Sequence, residues 1–263
     1  MLPDSTFTYL SRAALLIGVL AISGCASVSS RNATYDPLEG LNRVSHGVNK
    51  AVDVVALRPA SVIYDTVVPN PVVRGIDNFS GNLDQPGHIV NGILQGRPSE
   101  ASRALFRFLV NTTFGLGGLL DPASDMGLVD EPTDFGETLH VWGVGEGAYL
   151  ELPLLGPSTA RDAIGRVGNT LLNPTRLIAT TGAQELRLRQ VGAADLLGDR
   201  ADAASLIDPV LYESVDSYAQ LRSVYMQTRR FQLGSVGSTD LEANGLDPFD
   251  DPFDDPFDDP IAR

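Results

Sequence analysis

The chain is predicted to be an all-α protein with room for one short hairpin, and three observations lead to that class. Apolar residues recur every three or four positions along most of the chain, which places them on one face of a helix. Prolines, several of them in Asp-Pro pairs, stand at the edges of these runs, where a missing backbone N–H is tolerated. Strand-like alternation is confined to "AYLELPL", residues 148–154.

The first segment is a leader. An uninterrupted apolar stretch from Ala13 to Ile22 falls short of the roughly 20 residues needed to cross a hydrocarbon core. Arg12 precedes it, and Ile22-Ser23-Gly24-Cys25 follows it, a signal peptide ending in the bacterial lipobox of aliphatic, small, Gly and Cys. Residues 1–24 are therefore expected to be removed and Cys25 to be acylated. At about 0.8 kcal/mol per buried methylene, two or three acyl chains hold a protein on a bilayer. The alternative is a plain secretory signal with a chance cysteine. Ala26 and Ser27 follow Cys25; neither is the Asp that favours inner-membrane retention, which points to the periplasmic face of the outer membrane.

Residues 25–35 are small and polar after Cys25, a tether. Asp36-Pro37 is read as the cap and first position of a helix carrying Leu38, Leu41, Val44, Val48, Val52 and Val55, interrupted at Arg58-Pro59. Ile89, Val90, Ile93 and Leu94 mark a second helix that stops at Gln95-Gly96. Leu105, Phe106, Leu109 and Val110 mark a third after Pro98-Ser99, with Arg103 and Arg107 on another face. The middle, "NTTFGLGGLLDPASDMGL" and "TLHVWGVGEGAYLELPLLGPS", is glycine-rich and apolar where surface loops are ordinarily polar; such turns suit contact with acyl chains. Leu211, Val215, Tyr218 and Tyr225 mark a late helix from Asp208-Pro209 to Arg229-Arg230, where positive charge suits a helix C-terminus. Residues 36–234 form the expected helical domain. The remainder, 235–263, repeats Asp-Pro-Phe-Asp three times and is expected to be a disordered acidic tail.

Charge and cysteine content exclude several classes. From Asp240 onward nine acidic residues face one basic residue, so the tail holds −8 of the formal net charge of −14. No basic surface for nucleic acid is expected, and Cys25 is the sole cysteine, so no disulfide framework or thiolate metal site is available. Asp134-Phe135-Gly136 lacks the rest of a kinase signature, and Gly143-Val144-Gly145-Glu146-Gly147 lacks dinucleotide spacing. Its glycines read as a turn needing positive φ. His46, His88 and His140 are too scattered for a metal site and read as satisfied surface or interface histidines. Asp121, Asp125, Asp130, Glu131 and Asp134 could form an acid–base pair, but helix caps and solvated loops explain such clusters more often. No cofactor, metal or catalytic residue is assigned.

Six blocks carry a resemblance: "DPLEGLNR" (36–43), "LRPASVIYDTVVPNPVVRGIDNFSGNLDQP" (57–86), "VNGILQGRPSEA" (90–101), "RFLVNTTFGLGGLLDPAS" (107–124), "DFGETLHVWGVGEGAYLELPLLGPSTARDAIG" (134–165) and "DPVLYESVDSYAQLR" (208–222). In this order they resemble the MlaA (VacJ) family of outer-membrane lipoproteins over about residues 35–232. The resemblance implies a ring-shaped bundle of amphipathic helices in the membrane plane, in the periplasmic leaflet. It also implies a polar channel through which phospholipid leaves the outer leaflet for a soluble periplasmic carrier (MlaC-like), often beside trimeric porins. Gly143 and Gly145 match a channel-gating loop, and Asn78 and Asn82 match a block whose amides line or brace the ring; helix capping is the competing role for these amides. Gly47 and Val48 stand where relatives tend to have aromatic residues. A non-catalytic lipoprotein that scaffolds porins or other envelope proteins is the competing function.

Overall fold

The computed structural model describes residues 35–173 and 182–243. The leader, Cys25 and the Asp-Pro-Phe-Asp repeats lie outside the described residues. The described residues fall into two units, divided between Arg222 and Ser223.

Helices dominate, as the apolar spacing predicts. In order they are α1 (Glu39–Val52), α2 (Arg58–Val67), α3 (Asn70–Leu94), α4 (Pro98–Thr113), α5 (Pro122–Asp125) and α6 (Phe135–Val141). A hairpin of β1 (Tyr149–Leu152) and β2 (Gly156–Thr159) leads to α7 (Ala160–Leu172); α8 (Gly182–Asp202), α9 (Ala204–Asp208) and α10 (Ser217–Ala243) follow. The hairpin is antiparallel, with Tyr149 opposite Thr159 and Leu152 opposite Gly156, and it starts in "AYLELPL" as expected.

Local chemistry accounts for most boundaries. Asp121, Asp134 and Thr159 cap α5, α6 and α7 by accepting from the N–H groups of Ser124, Glu137 and Asp162. Two of the clustered carboxylates thus cap helices. The stop at Gln95-Gly96 is observed: Gly96 has φ +74°, Gly96 N–H donates to Ile93 and Arg97 N–H to Gly92, a Schellman ending.

Three expected boundaries are corrected. Arg58-Pro59 does not interrupt the first helix, because residues 53–57 form a π turn that carries the chain directly into α2; the wider turn absorbs the proline's missing donor. Asp36 does not cap α1, whose first flanking residue is Leu38 without a side-chain cap; its carboxylate is engaged elsewhere, as shown below. The late helix is broken: residues 209–213 are a second π turn, Ser214 is extended, and Val215 is fully exposed ahead of α10. α10 passes Arg229-Arg230 and continues to Ala243. No proline interrupts it before Pro248, and glycine alone disfavours a helix by only about 1 kcal/mol.

Glycines set the closest approaches. A Cβ on Gly165 would lie 2.5 Å from the Gly136 nitrogen, and one on Gly168 2.2 Å from the Phe135 ring, so α6 and α7 meet backbone to backbone. Overpacking this contact has no flexible side chain to displace. Gly165→Val is expected to lower stability by about 2 kcal/mol or more, whereas Gly145→Ala, with nothing within 4 Å of its Cβ, should leave it near wild type; urea unfolding followed by circular dichroism reads both.

Candidate functional site

Several helices are inverted relative to those of a water-soluble protein. On α1, Leu41, Val44 and Val48 are exposed while Asn42, Ser45 and His46 are buried. On α2, Val62, Ile63 and Val67 face out and Ser61 faces in; on α4, Leu105, Phe106 and Leu109 face out and Arg107 and Asn111 face in. α7 repeats the pattern, with Val167 and Leu171 outside and Arg161 and Asp162 inside. The glycine-rich turn adds exposed Phe114, Leu116, Leu119 and Leu120, and the hairpin tip adds Leu154 and Leu155. Each large apolar side chain left in water forgoes about 1.5–3 kcal/mol of burial. Among the described residues, no helix is long and apolar enough to cross a membrane.

Side chains do inside this protein what apolar packing does elsewhere. Asn42 and Asn49, two turns apart on α1, read the edge of the hairpin as another strand would. Asn42 accepts from Glu151 N–H at 2.9 Å and donates to the Tyr149 carbonyl at 3.0 Å. Asn49 donates to the Leu152 carbonyl at 3.0 Å and accepts from Leu154 N–H at 2.6 Å. Between them His46 bridges Glu151 Oε1 through Nδ1 and Ser217 Oγ through Nε2, each at 2.9 Å. Asp36 binds Asn42 at 2.8 Å, the Tyr218 hydroxyl and Arg222 at 2.5 Å. It thereby ties the end of the tether to α1 and α10.

A second network joins α3, α6 and α7. Gln95 Nε2 donates to Thr133 at 2.7 Å and Thr138 at 2.9 Å, and Thr138 donates to Asn91 Oδ1 at 3.0 Å. Asn169 Oδ1 accepts from Asn91 at 3.3 Å and from Phe135 N–H at 2.8 Å. A third joins α4 to α5: Asp121 accepts from Arg107 at 3.0 Å and Asn111 at 2.8 Å. Asp121 and Asp134 are thus spent on caps, and Asp121 and Glu131 on arginine pairs. A fourth joins the first π turn to α8, where Arg200 grips both oxygens of Asp53 at 2.7 and 2.9 Å and Tyr212 donates at 2.5 Å. Burial alone would push the Asp53 carboxyl up, but Arg200 and Tyr212 outweigh it and hold it below the ordinary carboxylate range.

α8 packs on α2 and α3 across an acidic seam. Burial, then the charges of Asp199, Asp77 and Asp84 against a hydrogen bond from Ser80, hold the Asp195 carboxyl up at about 6. Asp77 and Asp199 are raised by burial and by neighbouring aspartates, and the Tyr64 hydroxyl by burial, Asp77 and Asp195.

The sequence-assigned positions fall in two places. Asn78 and Asn82 sit mid-helix on α3, not at a cap. Asn78 donates to the Leu119 carbonyl at 3.3 Å and buried Asn82 to Thr112 at 3.1 Å, bracing the glycine-rich turn. That turn packs so tightly that a Cβ on Gly118 would lie 2.7 Å from the Asn82 side chain. Gly143 and Gly145 lie after α6 in open space; Gly143 has φ +86° and Gly147 φ +71°, while Gly145 has no positive φ. Arg161 N–H donates to the Glu146 carbonyl at 3.2 Å, closing the far end of the loop. Trp142 Nε1 donates to the Leu94 carbonyl at 3.0 Å, so the loop is fastened to the C-terminal end of α3. From Asn82 to Leu94 is about 18 Å along a helix, and the two sets are not brought together. Cys25 lies outside the described residues. His46 is satisfied, but as a buried residue and not a surface one, and His88 departs from the expectation because its Nδ1 has no hydrogen-bond partner; no group of three or more metal-ligating side chains is found among the described residues.

An apolar exterior around a hydrogen-bonded polar interior defines a helical protein suited to an apolar medium. The MlaA lipoprotein family model matches residues 34–232, and the chain belongs to that family. The intermembrane phospholipid transport system lipoprotein MlaA of Shigella flexneri is 35% identical over 227 residues, covering 83% of this chain and 86% of that protein. Its namesake in Escherichia coli (strain K12) is 34% identical with the same coverage. An uncharacterized protein of Rickettsia bellii is 36% identical over 208 residues, covering 79% of this chain and 80% of its own length. A chain solved in work on the structural basis for maintenance of bacterial outer membrane lipid asymmetry superposes with a TM-score of 0.63 at 33% identity. That superposition covers 75% of this chain and 98% of the solved one.

Unlike Asn82 on α3, which a family block singles out, the polar residues on the inward face of α1 are not picked out by apolar spacing. Their own spacing was available: Asn42, His46, Asn49 and Asp53 step by three or four residues beside the valine stripe. Asn42→Ala would remove the side-chain donor to the Tyr149 carbonyl and the acceptor for the buried Glu151 N–H, and is expected to cost about 3 kcal/mol in unfolding free energy. A second expectation concerns pH. Because the folded Asp195 carboxyl is raised above its unfolded value, the folded state binds the extra proton, and stability should rise as pH falls from 7.5 to 5. Asp195→Asn should flatten that part of a melting-temperature profile.

Proposed function

We propose that this chain is the lipid-anchored outer-membrane component of an intermembrane phospholipid transport system. It maintains lipid asymmetry by removing misplaced phospholipid from the outer leaflet. In this reading acylated Cys25 holds the body in the periplasmic leaflet, with the exposed apolar faces in the acyl layer and the amphipathic helices arranged as a ring. Phospholipid descends through the polar interior to a soluble MlaC-like carrier, and trimeric porins are neighbours in the membrane. The observation that carries it is the inversion of the helices, joined to membership of the MlaA lipoprotein family.

The task needs no bond broken, so the reading is transport without catalysis. Its obstacle is electrostatic: a charged headgroup in hydrocarbon costs several kcal/mol or more. Polar helix faces lower that barrier, and the apolar outer faces keep the body at the correct depth. The loop at Gly143 and Gly145 is assigned the gate, since both stand in open space between two fastened ends. Asn78 and Asn82 are assigned a bracing role on the glycine-rich turn.

Deleting the protein should raise outer-leaflet phospholipid and sensitise cells to detergent with chelator; unchanged lipid distribution would refute the reading. Cys25→Ser should block processing and reproduce the deletion. Gly145→Pro, at the one of these two glycines without a positive φ, should retain the folded protein yet alter barrier function. Lipid transfer from proteoliposomes to a purified carrier separates transport from the porin-scaffold alternative, which predicts none.

A further inference from the structure

Where the middle of α3 meets α4 and the segment after α5, several polar atoms are left unused. Gln85 is 2% exposed; its Nε2 donates to Asp130 Oδ1 at 3.0 Å, and its Oε1 has no hydrogen-bond partner. The amide orientation is settled by chemistry, since only the nitrogen can face the carboxylate as a donor. Arg107 is 5% exposed, and its Nη atoms bind Asp121, Ser124 and the Leu128 carbonyl. Its Nε lies 3.5 Å from Asp130 without a hydrogen bond. His88 follows Gln85 by three positions on α3, and its Nδ1 also lacks a partner. Burial, opposed by the charges of Asp130, Asp84 and Asp134, holds the His88 imidazole below its ordinary range, so at neutral pH it is uncharged and keeps one N–H to donate.

Buried polar atoms almost always find partners, so an acceptor, a donor and an imidazole left over around one carboxylate call for an occupant. That set is complementary to a group carrying both an ammonium and a phosphate. Asp130 is 39% exposed on its side chain and is the point at which the cluster reaches the surface, with the unpartnered atoms buried behind it. Beside it Met126, Val129, Leu105 and Phe106 turn apolar side chains outward, where acyl chains can run.

We propose that this cluster recognises the zwitterionic ethanolamine phosphate headgroup of a phospholipid. The ammonium is placed at Gln85 Oε1 and the Asp130 carboxylate, and the phosphate at Arg107 and His88. An anionic lipid without an ammonium leaves Gln85 unpaired and meets the Asp130 charge, so the site selects between headgroup classes. This proposal rests on the transport reading above.

The test uses the purified full chain, equilibrated with vesicles of equal parts phosphatidylethanolamine and phosphatidylglycerol, and weighs retained lipid by mass spectrometry. Wild type should favour phosphatidylethanolamine about fivefold; Asp130→Asn and Gln85→Leu should each bring the ratio near one without reducing phosphatidylglycerol. Glycerophosphoethanolamine, which has the headgroup without acyl chains, should be retained far less than the lipid. Equal retention of both lipids by wild type overturns the proposal, as do variants with an unchanged ratio, the result expected if buried water fills the site. Equal retention of the deacylated compound overturns its assignment to a lipid. Wild type that retains neither lipid counts against the transport reading itself. Should Gln85→Leu fail to fold, Asp130→Asn at the more exposed side chain decides the matter.

Discussion

Glu151 is buried on the hairpin with both carboxylate oxygens engaged, one by His46 and Asn49 and the other by the Tyr149 hydroxyl. Its backbone N–H goes to Asn42. A buried charge is tolerated only when its hydrogen-bonding capacity is filled, and here a neighbouring helix fills it. The rest of the fold obeys the same constraint. With apolar side chains turned outward, the interior has little hydrocarbon to bury and coheres through paired amides, hydroxyls and ions.

That choice raises the demand for geometry. Hydrogen bonds act over a narrow range of distance and angle, so the elements carrying them must approach closely and hold still. Glycines meet the first need: Gly165 and Gly168 let α7 touch α6, and Gly92 lets α3 approach Ala101 on α4. Asp36 and Asp53 meet the second by gathering donors from distant parts of the chain, Asp36 from α1 and α10 and Asp53 from α8 and the second π turn. The acidic seam between α3 and α8 is the counterexample, since its aspartates raise one another instead of being neutralised.

Under the proposed transport function, a polar interior built this way would serve the passage of a headgroup. The features resembling catalytic sets resolve into structure: Asp121 and Asp134 cap short helices, and His46 joins the hairpin to the start of α10. Ser217, His46 and Glu151 do form a hydrogen-bonded series, but Asp216 accepts from Ala219 N–H at 3.1 Å. A carboxylate thus occupies the helix terminus where an oxyanion would need donors.

Helix content, the hairpin, the Gly96 stop and the family were legible in the sequence, because spacing, proline and glycine act over a few neighbouring residues. So was the amphipathic character of α1, but not which face pointed inward. Periodicity reports that a helix has two unlike faces and is silent on the medium each one meets. The π turns at 53–57 and 209–213 were hidden for a related reason: Asp53 is locked to Arg200 and Tyr212 from far along the chain, and such partners leave no local trace. By itself the sequence determined that the chain is mostly helical, where glycine frees the backbone and which family the chain resembles. Only the tertiary structure decided that amides and charges face in while valines and leucines face out, since that depends on which distant donors and acceptors meet.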